Sequence, residues 1–158
     1  MANPYRHHVE GKNLKSLLQE GPDQLQRLAE QLGPKGLERS LAPGKWPARA
    51  ILCHLADSEL AFSFRLRQVL AEDGHVIQPF DQGAWAKHYG TLDASAALEL
   101  HSALRKWNLL LIESIAAQDW DRPATHPERG ATTFREVIET IAGHEQHHLR
   151  QLEHLAAT

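Results

Sequence analysis

TFREVIETIAGHEQHHLRQLEHL, residues Thr133 to Leu155, is the stretch whose reading decides the fold. Thr133 and Glu136 stand in the T-x-x-E spacing of a capping box, and no proline follows for more than twenty residues, so one long helix is expected. Steps of three and four from Phe134 give Val137, Ile141, His144, His148, Gln151 and Leu155, an inward stripe that is aliphatic at both ends and carries two imidazoles and an amide between. His at i and i+4 occupy adjacent turns of one face, where two ring nitrogens can reach a single metal ion. His147 falls instead on the stripe Thr140, Gly143, His147, Arg150 and His154, whose polarity places it toward water.

Working outward, the chain of 158 residues fits a single domain spanning 1–158 that can bury a core without disulfides or structural metal, so a metal here would serve function. The net charge of -3 offers no electrostatic footprint for nucleic acid or an anionic membrane, and neither is expected as a partner. No apolar run approaches the roughly twenty residues of a membrane span, and MANPYRHHVEGK lacks an apolar signal core. A cytoplasmic location is expected; the one cysteine, Cys53, fits a reducing compartment.

Three further helices are expected. Leu14, Leu17, Leu18, Leu25, Leu28 and Leu32 mark a helix from Lys12 to Leu32, kinked or divided at Gly21-Pro22 and stopped at Gly33-Pro34. Pro47 at N1 opens a helix to Ala71 with Ile51, Leu55, Phe62, Leu66 and Val69 inward, and Gly74 ends it. His54 lies beside that stripe. Thr91 as cap, with Asp93 in the first turn, opens a helix to Gln118 whose buried stripe is Leu100, Leu104, Trp107 and Leu111. HVIQPFDQGAWAKHYG between the second and third of these is an ordered loop, with a short helical turn allowed, lying over one mouth of the core. No segment alternates with period two, so no sheet is expected. Four amphipathic helices in one domain give an all-α four-helix bundle. The connections at about Gly33 to Trp46 and Gly74 to Gly90 are longer than tight bundle turns, so the order need not be up-down-up-down.

Of eleven His, only His54, His144 and His148 are pointed to the core by their own helical stripes. Three neutral imidazoles on two helices with one open position are the donor set of a catalytic zinc-type site. The bland alternative is three ordinary core histidines, each hydrogen-bonded to a neighbour.

Four stretches in order carry a resemblance: W-P-x-x-x-I-L-x-H-L-A-D-S-E at Trp46 to Glu59, P-F-D-Q-x-A-W at Pro79 to Trp85, H-P-E-x-G at His126 to Gly130, and G-H-x-x-x-H-L-x-Q at Gly143 to Gln151. Together the chain resembles the DinB/YfiT-like family of bacterial four-helix bundles. The resemblance implies a divalent metal held by one His of the second helix and an H-x-x-x-H pair of the last, which are His54, His144 and His148 here. It also implies kinship to S-transferases that use a low-molecular-weight thiol, bacillithiol or mycothiol, and to proteins labelled metal-dependent hydrolases. Zinc or nickel is the expected ion, since imidazole suits both.

Two functions follow from this. One is a metal-dependent transferase or hydrolase acting on a small molecule, its ion activating a thiol or water. The other is a non-catalytic metal-binding or structural module, as a homodimer covering an apolar helix face with its partner. No catalytic carboxylate stands out. Asp57 and Glu59 can orient a ligand but are more often solvated; Gln151 is read as a core hydrogen bonder. Asp81 and Gln82 belong to the roofing loop, Trp85 to core packing, His126 and Glu128 to pinning the last loop, and Cys53 to small buried filler.

Overall fold

The computed structural model describes residues 3–158. A short 3-10 turn at Arg6–His8 precedes α1 (Leu14–Leu37), α2 (Ala48–Ala71), the five-residue α3 (Gln82–Ala86) and α4 (Ala94–Ser114). A second 3-10 turn at Ala117–Asp121, a hairpin of β1 (Pro123–His126) and β2 (Gly130–Thr133), and α5 (Phe134–Ala156) complete the chain. No helix among the described residues is long and apolar enough to cross a membrane.

Four long helices form the expected bundle. Both α1 and α2 pack chiefly on α4 and α5, so the consecutive pair α1 and α2 sit diagonally. One apolar cluster gathers Leu18 from the start of α1, Phe62 to Val69 from the end of α2, Ile112 from the end of α4 and Phe134 to Ile141 from the start of α5. The opposite cluster gathers Leu25, Leu32, Ile51, Leu55, Ala94, Leu149 and Leu155. The helices therefore run up, down, down, up, and the chain from α2 must return along the bundle before α4 begins, which is why that connection is long.

Between the two apolar clusters lies a buried polar layer. Arg105, 1% exposed, donates through Nε and Nη2 to Glu59 at 3.0 and 2.9 Å, and through Nη1 to Glu145 at 3.0 Å and to the Leu18 carbonyl at 3.0 Å. One guanidinium thus ties α4 to the other three bundle helices. Asn108 donates to Glu59 at 2.8 Å, and His101 Nε2 lies 3.1 Å from Glu145. Burial, the largest single influence, would raise both carboxyls, but the Arg105 charge and the hydrogen bonds from Arg105, His101 and Asn108 together outweigh it and hold Glu59 and Glu145 below the usual carboxylate range.

This layer explains where the helices depart from sequence expectation. Pro22 does not break α1. It lacks the N–H that would satisfy the Leu18 carbonyl four residues back, and Arg105 supplies that hydrogen bond instead. A Cβ on Gly21 would stand 2.1 Å from a carboxylate oxygen of Glu145, so glycine is what admits the carboxylate. At Gly33, with φ 60°, the chain breaks as expected, but a last helical turn resumes to Leu37.

In α4 the buried stripe is Ala94, Ala97, His101, Arg105, Asn108 and Ile112. The apolar stripe drawn from sequence is turned away from the core centre, with Leu100 43% and Trp107 61% exposed and Leu104 and Leu111 half-buried at its flank. Helix α4 has hydrophobic residues on both faces, and ion pairing in the polar layer outweighs them in setting its phase. Asp93, not Thr91, caps it, accepting from Ala96 N, and it ends at Ser114, short of Gln118. Pro47 is the N-cap of α2 and not its first helical residue, while Gly74 follows the helix with φ 70°.

The hairpin corrects the expectation of no sheet. Its strands are four residues each, and β1 buries only Ala124 and His126, too short and too polar a pattern to stand out. Val76 bridges it in parallel to Thr125, which ties the α2–α3 connection to the loop before α5.

Replacing Arg105 by Leu leaves two buried carboxylates without a cation, and a loss of about 3–5 kcal/mol in unfolding free energy is expected from urea titration. Gly21→Ala is expected to lower the thermal midpoint as well, since the Glu145 carboxylate has to move from Arg105 to make room.

Candidate functional site

The same stratum carries the histidines. His54 lies five residues before Glu59 on α2, and His144 immediately precedes Glu145 on α5, so the carboxylates that engage Arg105 turn these histidines toward each other across the α2–α5 contact. His54 Nε2 is 2.9 Å from His144 Nε2, and His148 Nε2 is 3.2 Å from the same atom. All three rings are buried, and among the described residues they form the one group of His, Cys, Asp and Glu whose ligand atoms lie within 4.8 Å of one another.

Their protonation suits a cation. Burial pushes His54 down to about 4 and, with His54 as neighbour, His148 down to about 3; burial and the charges of His148 and His54 hold His144 well below its usual value. All three are neutral at pH 7. Gln151 Oε1, 2.8 Å from His148 Nδ1, accepts the proton there and leaves Nε2 as a bare lone pair facing the cluster. Nitrogens bound about 2.05 Å from a tetrahedral ion stand about 3.3 Å apart, close to the 2.9 and 3.2 Å of the His54–His144 and His144–His148 pairs.

The walls are aromatic. Trp46 packs on the His54 ring at 4.9 Å between centroids, and Tyr5 meets His144 edge-on at 5.2 Å. Tyr5 comes this close because Gly143 has no side chain: a Cβ there would lie 2.6 Å from the Tyr5 carbonyl oxygen. The 3-10 turn around Arg6–His8 thereby covers the Thr140–Gly143–His147 face, which is partly buried and not open to water as expected. His147 stays outside the cluster, half-buried, with Nε2 3.3 Å from Gln151 Nε2.

Two clefts reach the cluster. One of about 250 Å³ opens on His54 and His144 between Ser58, Arg65, Phe80 and His126. Another of about 330 Å³, lined by Leu41, Trp46 and Ile51, opens on His148 and Gln151. Gln82 stands at the first, and Asp81 caps α3 by accepting from Ala84 N. Trp85 is 38% exposed and stacks on Phe80 at 4.6 Å, so it packs the roof and not the core. Asp57 accepts from the Tyr89 hydroxyl at 2.8 Å and Glu59 is held by Arg105, so neither orients a cluster histidine. Cys53 is buried among Ala50, Ala56 and Ala97 as filler. His126 Nδ1 accepts from Glu128 N at 3.2 Å, a contact that shapes the hairpin turn and presents the ring to the cleft.

Sequence reading missed Tyr5, Trp46, Arg65 and the Arg105 network. The run Ala94, Ala97, His101, Arg105, Asn108, with two small residues leading three polar ones at helical spacing, was the available signal for the last.

The DinB superfamily matches the chain over residues 17–152. A protein of Oceanobacillus iheyensis is 32% identical over 135 residues, 85% of this chain and 78% of its own length. YfiT of Bacillus subtilis is 28% identical over 144 residues, 89% of this chain and 80% of its own. Both are provisionally named metal-dependent hydrolases. The solved structure of Bacillus subtilis YfiT, described in the same provisional terms and as having an unusual four-helix bundle topology, superposes with a TM-score of 0.86 at 26% identity, covering 91% of this chain and 84% of that one. A mycothiol-dependent maleylpyruvate isomerase shares the fold at a TM-score of 0.69 and 15% identity, over 88% of this chain and 59% of its own.

The buried imidazoles predict acid lability of the metal-free protein. Unfolded histidines take up protons as pH falls through about 6.5, whereas folded His54 and His148 wait until about 4 and about 3. The unfolded state binds more protons in that window, so stability is full above about 6.5 and falls toward pH 4. Thermal midpoints with chelator present are expected to drop between pH 7 and 4.5, and to drop less steeply in His148→Leu.

Proposed function

The chain belongs to the DinB superfamily, and on that premise we propose that it is a metal-dependent enzyme in which His54, His144 and His148 hold a divalent ion, zinc or nickel, beside a small-molecule cleft. The observation that carries this is the convergence of three neutral Nε2 atoms on one point at the wall of an open cleft. Such an ion supplies Lewis acidity, lowering the pKa of a bound thiol or water into the neutral range.

The chain's own residues supply the setting. Gln151 fixes the His148 tautomer, and Trp46, Tyr5 and Phe62 exclude water and so strengthen electrostatic interactions at the cluster. The names of the relatives support hydrolysis. One structural feature favours a thiol nucleophile instead. Asp57, Glu59 and Glu145 are engaged by Tyr89 and Arg105, and among the described residues lining the His54–His144 cleft the one carboxylate is Glu128, at its exposed rim. Hydrolysis of an ester or amide calls for a proton donor to the leaving group, a task that in this cleft falls to an imidazole, His126, and not to a carboxylate, whereas thiolate displacement of an anionic leaving group needs none.

Protein purified without a His-tag is expected to carry about one divalent ion per chain by elemental analysis, lost in His148→Ala and kept in His147→Ala. Equal loss in both would place His147 in the ligand set. Metal-loaded protein is then given a model electrophile with a panel of small thiols, beside a panel of esters and amides. Conjugation that needs both metal and thiol is expected. Metal-dependent ester or amide cleavage without thiol would replace the transferase by a hydrolase, and inactivity in both panels would favour the non-catalytic module.

A further inference from the structure

Arg65 follows His54 by about three helical turns on α2, which brings it to the same face and into the same cleft. It is 6% exposed. Its guanidinium lies 5.3 Å from the centroid of Phe62 and 5.4 Å from that of Phe80, and one Nη donates to the Gln78 carbonyl at 2.9 Å. The two aromatic contacts and that hydrogen bond set the guanidinium plane, leaving N–H groups to serve a ligand in the cleft.

The other buried arginine, Arg105, is clamped between two carboxylates, and the more exposed Arg49, Arg122 and Arg135 each have an acidic partner. No ion pair to Arg65 is formed among the described residues. Burial pushes it down to about 10, and the positive charge of Arg129, on the wall of the same cleft, pushes the same way. At neutral pH it is still a cation, desolvated, with Arg129 on the wall of the same cleft. Stability does not explain such an arrangement, because burying a charge without a counter-charge is unfavourable. Beside it His126, 6% exposed, uses Nδ1 as acceptor from Glu128 N, so Nε2 carries the proton and is a donor.

We propose that Arg65, assisted by His126, is the docking point for a carboxylate on the substrate, which it holds in the cleft that opens on His54 and His144. A planar carboxylate matches the two-pronged edge of a guanidinium, and one remaining edge with one imidazole donor suits its two oxygens better than the three of a phosphate. The proposal deepens the metal-dependent reading and rests on it for what happens at the other end of the substrate. It makes Arg65 a specificity residue.

The test measures binding of acetate, succinate and phenylacetate by calorimetry, each beside its amide, with phenyl phosphate as a further probe, to wild type, Arg65→Met, Arg65→Lys and His148→Ala. At least one carboxylate is expected to bind wild type while its amide does not, to weaken at least tenfold in Arg65→Met and less in Arg65→Lys. His148→Ala is expected to keep that binding while losing metal, which separates failure of this subsite from failure of the metal assignment. Met retains the packing on Phe62 and Phe80, so a folded Arg65→Met with a thermal midpoint no lower than wild type is expected, and Arg65→Lys carries the comparison if it is not. Equal binding to wild type and Arg65→Met, no carboxylate binding to wild type, or binding of phenyl phosphate in preference to every carboxylate would overturn the proposal.

Discussion

A single buried guanidinium sets the register of this bundle. Arg105 reaches Glu59 on α2, Glu145 on α5 and the Leu18 carbonyl on α1, so sliding or rotating any one helix would leave a charge or a carbonyl unpaired in the interior. Apolar packing is tolerant of such slips, because one leucine fits roughly where another did. A charge network is not, and an unpaired buried ion is far more destabilising than an imperfect van der Waals contact. The need for this layer also accounts for local features that look like faults, a proline and a glycine in mid-helix, which supply an orphan carbonyl and the room for a carboxylate.

The histidine cluster depends on that register. His54 and Glu59 share α2, and His144, Glu145 and His148 share α5, so fixing the carboxylates fixes the azimuth of the imidazoles. Three imidazoles within hydrogen-bonding distance, all held neutral, make an arrangement that loses stability in acid and has lone pairs to spare at neutral pH. Placing it beside the ion network means its geometry does not have to be organised by whatever it binds. The connection between α2 and α4 then matters twice. Forced to run back along the bundle by the parallel arrangement of those helices, it brings Phe80 and Gln82 over the cleft and sandwiches Arg65.

The misread helix shows why local pattern is insufficient. In α4, leucines and a tryptophan lie on one face while alanines, a histidine, an arginine and an asparagine lie on the other, and hydrophobicity alone selects the first as core. The selection reverses once Glu59 and Glu145 are known to be buried across from it. Those partners are 46 and 40 residues away in sequence, beyond the reach of any periodicity. Tyr5 at the site and the two four-residue strands were hidden for the same reason, since each is defined by what it packs against.

The sequence by itself determined the four long helices, the capping box that starts α5, the bundle class and the identity of the three converging histidines, because helical periodicity and capping are properties of neighbours three or four residues apart. Only the tertiary structure decided the up-down-down-up order, the phase of α4, the survival of α1 across Pro22, and the pairing of a buried, carboxylate-free Arg65 with the histidine cleft. Each of those turns on long-range electrostatics and on satisfying buried polar groups, whose partners are settled only when the helices meet.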